Sequence, residues 1–150
     1  MSNHDTMRQL IGQGCLALDD ADFDGFLALC TEDIGYRIEV WSPELRQNMI
    51  WLEHDKEGLR ALFDALPEHL TRPGRLARHA NVMTVTENET GFDCVSTLAV
   101  YHTDVDGRSQ VLAIGRYRDR IVKRDSTLLL ADRTVVLETR DLGVGLHVPL

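Results

Sequence analysis

The run Asp20-Ala21-Asp22-Phe23-Asp24-Gly25 spells the first half of a calcium-binding loop, with Leu27 at its apolar eighth position. Such a loop gathers about six to eight oxygens and closes with a bidentate glutamate at position twelve. That position is Thr31, and Glu32 comes one residue late. An acidic turn in which Asp22 caps a helix accounts for the same residues without a metal. His102, Asp104, Asp106 and Gly107 repeat the pattern more faintly, with Ala113 at position twelve, and a hairpin turn explains them.

Iron would need other spacings. A two-histidine, two-cysteine iron–sulfur cluster draws its ligands from paired C-x-H and C-x-x-H motifs, and none of Cys15, Cys30 and Cys94 has a histidine at either spacing. A facial triad takes two histidines and a carboxylate. His54, His69, His79 and His102 form no tight helical or strand-paired cluster with Asp or Glu. No G-x-S-x-G motif marks a nucleophile. Acid–base work falls to Tyr36, His79 and His102, on the condition that they face one pocket. A lone histidine at the start of a strand is more often a hydrogen-bonded packing residue. Arg116, Arg118, Arg120, Arg124 and Arg133 suit an anion site. The simpler reading pairs them with Asp119, Asp125, Asp132, Glu138 and Asp141 across a hairpin, partly across a subunit boundary. No residue is assigned a catalytic, cofactor-binding or metal-ligating role.

These residues sit on elements that periodicity predicts. Met7, Leu10, Ile11, Cys15 and Leu18 recur at helical spacing, giving a helix over about 5–19. Asp22 caps a second helix with Phe23, Phe26, Leu27 and Cys30 on its buried stripe. Residues 33–40 alternate as a strand. Residues 41–54 are irregular, because Pro43 excludes a central strand there. A third helix starts at Asp55, buries Leu59, Leu62, Phe63 and Leu66, and stops before Pro67. After a loop at Thr71–Arg75, strands are expected at 82–86, 92–103, 110–123 and 128–140. Asp106-Gly107 reads as a type I′ turn, and a second short turn falls at Asp125–Ser126. In the last hairpin Arg116, Arg118 and Arg120 share one face and Tyr117 and Ile121 the other. Arg133, Val135 and Leu137 likewise oppose Asp132, Thr134 and Val136. The apolar tail from Gly143 to Leu150 must dock or fray.

Helices first and long strands afterwards give an α+β class, with residues 1–150 as a single domain. The composition, 43% hydrophobic and 27% charged, is that of an ordinary globular protein. A net charge of −8 argues against nucleic acid as a partner. There is no apolar leader and no run of about eighteen apolar residues, so neither secretion nor a membrane is expected. Three cysteines without CxxC spacing fit reduced thiols in a cytoplasm.

Three stretches carry a resemblance. They are Asp22 to Ile34 (DFDGFLALCTEDI), Arg78 to Val82 (RHANV), and Gly115-Arg116-Tyr117-Arg118-Asp119 followed by Leu130 to Glu138 (LADRTVVLE). In that order they resemble the small (β) subunit of Rieske non-haem iron aromatic-ring-hydroxylating oxygenases. The resemblance implies the cone-shaped fold of the nuclear-transport-factor-like superfamily, in which N-terminal helices pack against a strongly curved, mainly antiparallel sheet. It implies a non-catalytic scaffold, forming a homotrimer or a three-plus-three hetero-hexamer with an oxygenase large (α) subunit. That subunit would hold the Rieske [2Fe–2S] cluster and the non-haem Fe(II), and act in aromatic catabolism as a dioxygenase or monooxygenase. The segment Tyr36–His54, with Ser42-Pro43-Glu44-Leu45-Arg46, departs from the commoner dioxygenase small subunits. It looks closer to those paired with salicylate-hydroxylating or alkanesulfonate monooxygenases. The alternative within the same fold is a self-sufficient isomerase, dehydratase or cyclase using Tyr36, His79 or His102.

Overall fold

The structure, a computed structural model, describes residues 1–69, 73–142 and 149–150. The side chains of 67–69, His69 among them, lie outside the described set, as do Thr71, Arg72 and residues 143–148 of the tail.

Helix α1 (Asn3–Asp19) starts at Ser2, whose hydroxyl accepts from the Asp5 amide, and buries Met7, Leu10, Ile11, Cys15 and Leu18 along one stripe. It ends in a left-handed residue, Ala21 (φ 56°). The Ala21 amide donates to Leu18 O at 3.2 Å and the Asp22 amide to Ala17 O at 2.8 Å, which closes the helix as a Schellman turn. Asp22 then caps α2 (Phe23–Ala28), its Oδ1 accepting from Gly25 N at 3.0 Å. A Cβ at Gly25 would meet that carboxylate, so a larger residue there would push the capping side chain aside. Cys30 is not on the α2 stripe but opens strand β1 (Cys30–Ser42). Helix α3 (Lys56–His69) is capped by Asp55, which accepts from Gly58 N at 2.8 Å. Leu59, Phe63 and Leu66 are buried on it. It continues through Pro67 instead of stopping before it; the proline forfeits one ladder bond, to the Phe63 carbonyl, within a turn of the helix end.

The remaining strands are β2 (Gln47–His54), β3 (Arg75–Glu87), β4 (Gly91–Thr103), β5 (Ser109–Arg124) and β6 (Thr127–Leu137). They form one sheet in the order β2-β1-β6-β5-β4-β3, antiparallel throughout except for β1 beside β6. Each of the five pairings contains a register shift, which adds twist and bends the strands, so the sheet curls into a cone around the helices. α1 lies along β3, and α3 along β1.

Four expectations need correction here. Residues 47–54 form a regular strand: Pro43 falls in the β1–β2 turn, and β2 is an edge whose exposed Met49-Ile50-Trp51 run hides any alternation. β3 begins at Arg75, seven residues early, because a charged side chain, Arg78, fills one of its inward positions. The type I′ turn is at Asp125 (φ 51°) and Ser126 (φ 68°), between paired Arg124 and Thr127. In the Asp106 turn only Gly107 has positive φ, 83°. There the Asp104 carboxylate accepts from the Asp106 and Arg108 amides, each at 2.9 Å, making a type I turn with a glycine bulge. β6 ends at Leu137, short of Arg140.

Candidate functional site

The concave side of the cone is where this architecture could house chemistry, and register fixes what lies there. Cys94 pairs with Asp119, Asp119 with Arg133, and Arg133 with Tyr36, so one row of inward side chains crosses four strands. The next row holds Ser96, Tyr117, Val135 and Ile38. Asp119 is in phase with Tyr117 and Ile121, and Arg133 with Val135 and Leu137, so both charges are carried inward by strand alternation.

Those charges meet each other. Arg133 Nε donates to Asp119 Oδ1 at 2.8 Å and Nη2 to Oδ2 at 3.0 Å, a bidentate pair in which the side chains are 1% and 0% exposed. The guanidinium carbon lies 3.7 Å from the centroid of the Tyr117 ring. Burial pushes the Asp119 carboxyl up while the neighbouring guanidinium pulls it back. For Arg133 burial alone would lower the pKa; Asp119 and Tyr117 more than offset this, and the guanidinium stays charged. Among the described residues, Arg133 Nη1, Tyr117 Oη and Ser96 Oγ are buried without a protein partner.

Tyr36 is part of the same row and is fully committed. Its hydroxyl donates to Leu150 O at 3.1 Å and accepts from Leu150 N at 2.8 Å. Burial pushes its pKa up to about 12. Arg78 donates to Pro149 O at 2.7 Å and to Asp19 Oδ1 at 2.8 Å. Pro149 and Leu150 therefore dock against the cone, and Leu150 is fully buried. Beside them lies an apolar groove of about 640 Å³ lined by Leu18, Phe23, Phe63, Leu66 and Arg78. Its charged walls are already paired, Asp19 with Arg78 at 2.8 Å and Asp20 with Arg75 at 3.1 Å.

The three acid–base candidates are not brought together. His79 is exposed on the convex face of β3, edge-on to Tyr101 with centroids 5.0 Å apart. His102 is buried near the end of β4, its Nε2 3.1 Å from Pro73 O. The calcium-like loop is dispersed too: Asp22 caps α2, Asp20 takes Arg75, Glu32 takes Lys56 at 3.0 Å, and Thr31 is buried. Cys15, Cys30 and Cys94 are free buried thiols, and burial pushes Cys30 and Cys94 up to about 11. Among the described residues no three His, Cys, Asp or Glu side chains converge, so the groups present do not fit an iron site.

The arginine pairing expected across the hairpin holds for Arg133 with Asp119. Elsewhere the partners differ: Asp132 takes Arg37 at 3.1 Å, and Arg124 takes Asp33 at 3.7 Å, because β1 rather than β5 supplies the nearer groups.

With this geometry in hand, likeness to known proteins decides the family. The family model described as ring hydroxylating beta subunit matches residues 14–143. The chain is 35% identical over 134 residues to the 2-aminobenzenesulfonate 2,3-dioxygenase subunit beta of Alcaligenes sp., covering 89% of each chain. It is 31% identical over 156 positions to the methanesulfonate monooxygenase hydroxylase subunit beta of Methylosulfonomonas methylovora, covering 97% of this chain and 86% of that one. The crystal structure of the beta subunit of a candidate aromatic-ring-hydroxylating dioxygenase from Novosphingobium aromaticivorans superposes with TM-score 0.81. That match covers 98% of this chain and 96% of the other at 19% identity, a likeness of fold. The chain belongs to the ring hydroxylating beta subunit family, and its curled sheet is the cone fold of that family.

Proposed function

We propose that this chain is the non-catalytic small subunit of a Rieske-type oxygenase, working in the cytoplasm as one domain over residues 1–150. In this reading no residue of the chain takes part in the chemistry. It scaffolds large subunits that carry the Rieske cluster and the mononuclear iron, in a homotrimer or a three-plus-three hetero-hexamer. The observation that carries the proposal is the filled interior. The cone positions that would face a substrate hold the Asp119–Arg133 pair, and Tyr36 is spent on the Leu150 main chain. An acid or base must reach its substrate proton within hydrogen-bond distance, and these groups are sealed from any.

Two curated relatives act, by their names, on an aromatic and an aliphatic sulfonate. We therefore propose an organosulfonate as the substrate of the assembled oxygenase, bound by the large subunit. The test is reconstitution with that subunit and turnover per iron site on aromatic and aliphatic sulfonates. Activity only on unsulfonated aromatics would refute the substrate class. Hydroxylation by the large subunit alone at the full rate, with no association between the chains, would refute the scaffold role.

A further inference from the structure

The β1–β2 hairpin exposes five large apolar side chains within eleven positions: Trp41, Leu45, Met49, Ile50 and Trp51. Trp41, Leu45 and Ile50 are each more than half exposed. β2 is also the end of the sheet, so among the described residues one side of its backbone has no strand partner. A long apolar edge of this kind is an adhesive surface unless something covers it.

Among the described residues no helix covers the convex face of the sheet, since the helices fill the concave side. Register puts Thr97, Arg116, Val136, Glu39 and Ile50 in one outward row across β4, β5, β6, β1 and β2. β6 turns apolar residues to both faces, Val135 and Leu137 inward and Val136 outward.

Charge identifies the cover. Arg116, Arg118 and Arg120 stand exposed on the convex face of β5, next to Ile114. Among the described residues none of these arginines has a carboxylate within 4.0 Å. This is a basic stripe on a chain of net charge −8. The hairpin presents exposed Glu44 and Glu53 beside its apolar residues, with Arg46 the opposing charge at the tip. Two copies packed convex face to convex face would set arginine row against arginine row. A hairpin laid on the next copy's β5 face matches apolar with apolar and acid with base.

We propose that the β1–β2 hairpin and the convex face of β5 are the two complementary halves of one head-to-tail contact between copies of this chain, which closes into a ring. The inference rests on the small-subunit reading and adds the surfaces. Because the contact is heterologous, each copy carries both halves, and a suitable rotation closes it without free ends.

Light scattering after size exclusion tests this on the chain alone and on its complex with the large subunit. The chain alone should elute at about 51 kDa, three times its 16.9 kDa. Arg116→Glu/Arg118→Glu and Ile50→Glu/Trp51→Glu should each run as monomers with unchanged circular dichroism. Mixed together, these two variants retain one intact hairpin and one intact β5 face, and should give a dimer of about 34 kDa, twice 16.9 kDa. Adding Glu44→Arg/Glu53→Arg to the arginine variant should restore the ring, which a folding defect could not do. A ring that survives both variants, or a mixture that stays monomeric, overturns the proposal and leaves the small-subunit reading standing. So does a monomeric wild type whose hairpin variant loses only the large subunit. A wild type that neither self-associates nor binds a large subunit overturns both.

Discussion

Asp119→Ala is the substitution that most directly probes what fills the cone. It removes both acceptors of a bidentate bond at 2.8 and 3.0 Å and leaves the Arg133 guanidinium, 1% exposed, with no counter-charge. Removing one partner of a buried pair costs about 3–5 kcal/mol, chiefly because the other charge stays desolvated. For a chain of 150 residues each kcal/mol moves Tm by about 2–4 °C, so the variant should melt roughly 6–20 °C lower. The double variant Asp119→Leu/Arg133→Met removes both desolvation penalties, and well-packed apolar replacements of such pairs are often neutral or stabilising by about 1–4 kcal/mol. Urea denaturation of the isolated chain gives all three stabilities. A double variant as unstable as the single one, or a single variant costing under about 1 kcal/mol, refutes the account. Arg133→Met adds a pH signature. Burial already raises the Asp119 pKa in spite of Arg133, and losing Arg133 raises it further. A carboxyl whose folded pKa lies above its unfolded one stabilises below the unfolded value and loses that contribution as pH rises. The variant should therefore lie closest to wild type near pH 3–4 and fall behind towards neutrality.

Three further outcomes follow from the same interior. Burial holds Cys30 and Cys94 at about 11, above the ordinary thiol value of 9.0. Stability should thus be complete below about pH 9 and decline from there to about pH 11, by up to about 1.4 kcal/mol per pH unit per thiol. A urea midpoint that stays constant across that window contradicts this. Tyr36→Phe strips the Leu150 amide and carbonyl of their partner and should cost roughly 1–3 kcal/mol. Exposed His79→Ala should stay within about 0.5 kcal/mol. In the assembled complex neither should lower turnover per iron site, and a loss of about a hundredfold would place chemistry in this chain. Calcium at millimolar concentration should leave Tm unmoved, because Asp20, Asp22 and Glu32 serve Arg75, the α2 amides and Lys56; a concentration-dependent rise would revive the loop as a site.

Local patterns were legible where one face was simply apolar. The α1 stripe, the Asp22 and Asp55 caps and the long arms of β4, β5 and β6 all follow from spacing and capping chemistry. What stayed hidden was burial of charge. Arg78 and Arg133 point inward by strand phase, yet arginine reads as exposed until its partner is known, and Asp19 lies 59 residues from Arg78. The docking of Pro149 and Leu150 on Arg78 and Tyr36 spans 71 and 114 residues, distances over which sequence periodicity carries no signal. β2 escaped for the opposite reason: Met49, Ile50 and Trp51 are exposed and only Leu52 packs against the core, so no alternation marks it.

These two kinds of hidden residue point to one division of labour within the cone. A pocket for acid–base chemistry needs inward polar groups with a vacant side towards solvent. Here the inward polar row of Cys94, Asp119, Arg133 and Tyr36 is closed, by the bidentate pair at its centre and by Leu150 at its Tyr36 end. Meanwhile Trp41, Ile50, Ile114 and the Arg116–Arg118 stripe are exposed on the hairpin and the convex face. Reactive character has been removed from the interior and adhesive character placed on the outside. On the proposed reading, a chain arranged in this way contributes to an oxygenase through what it holds in place.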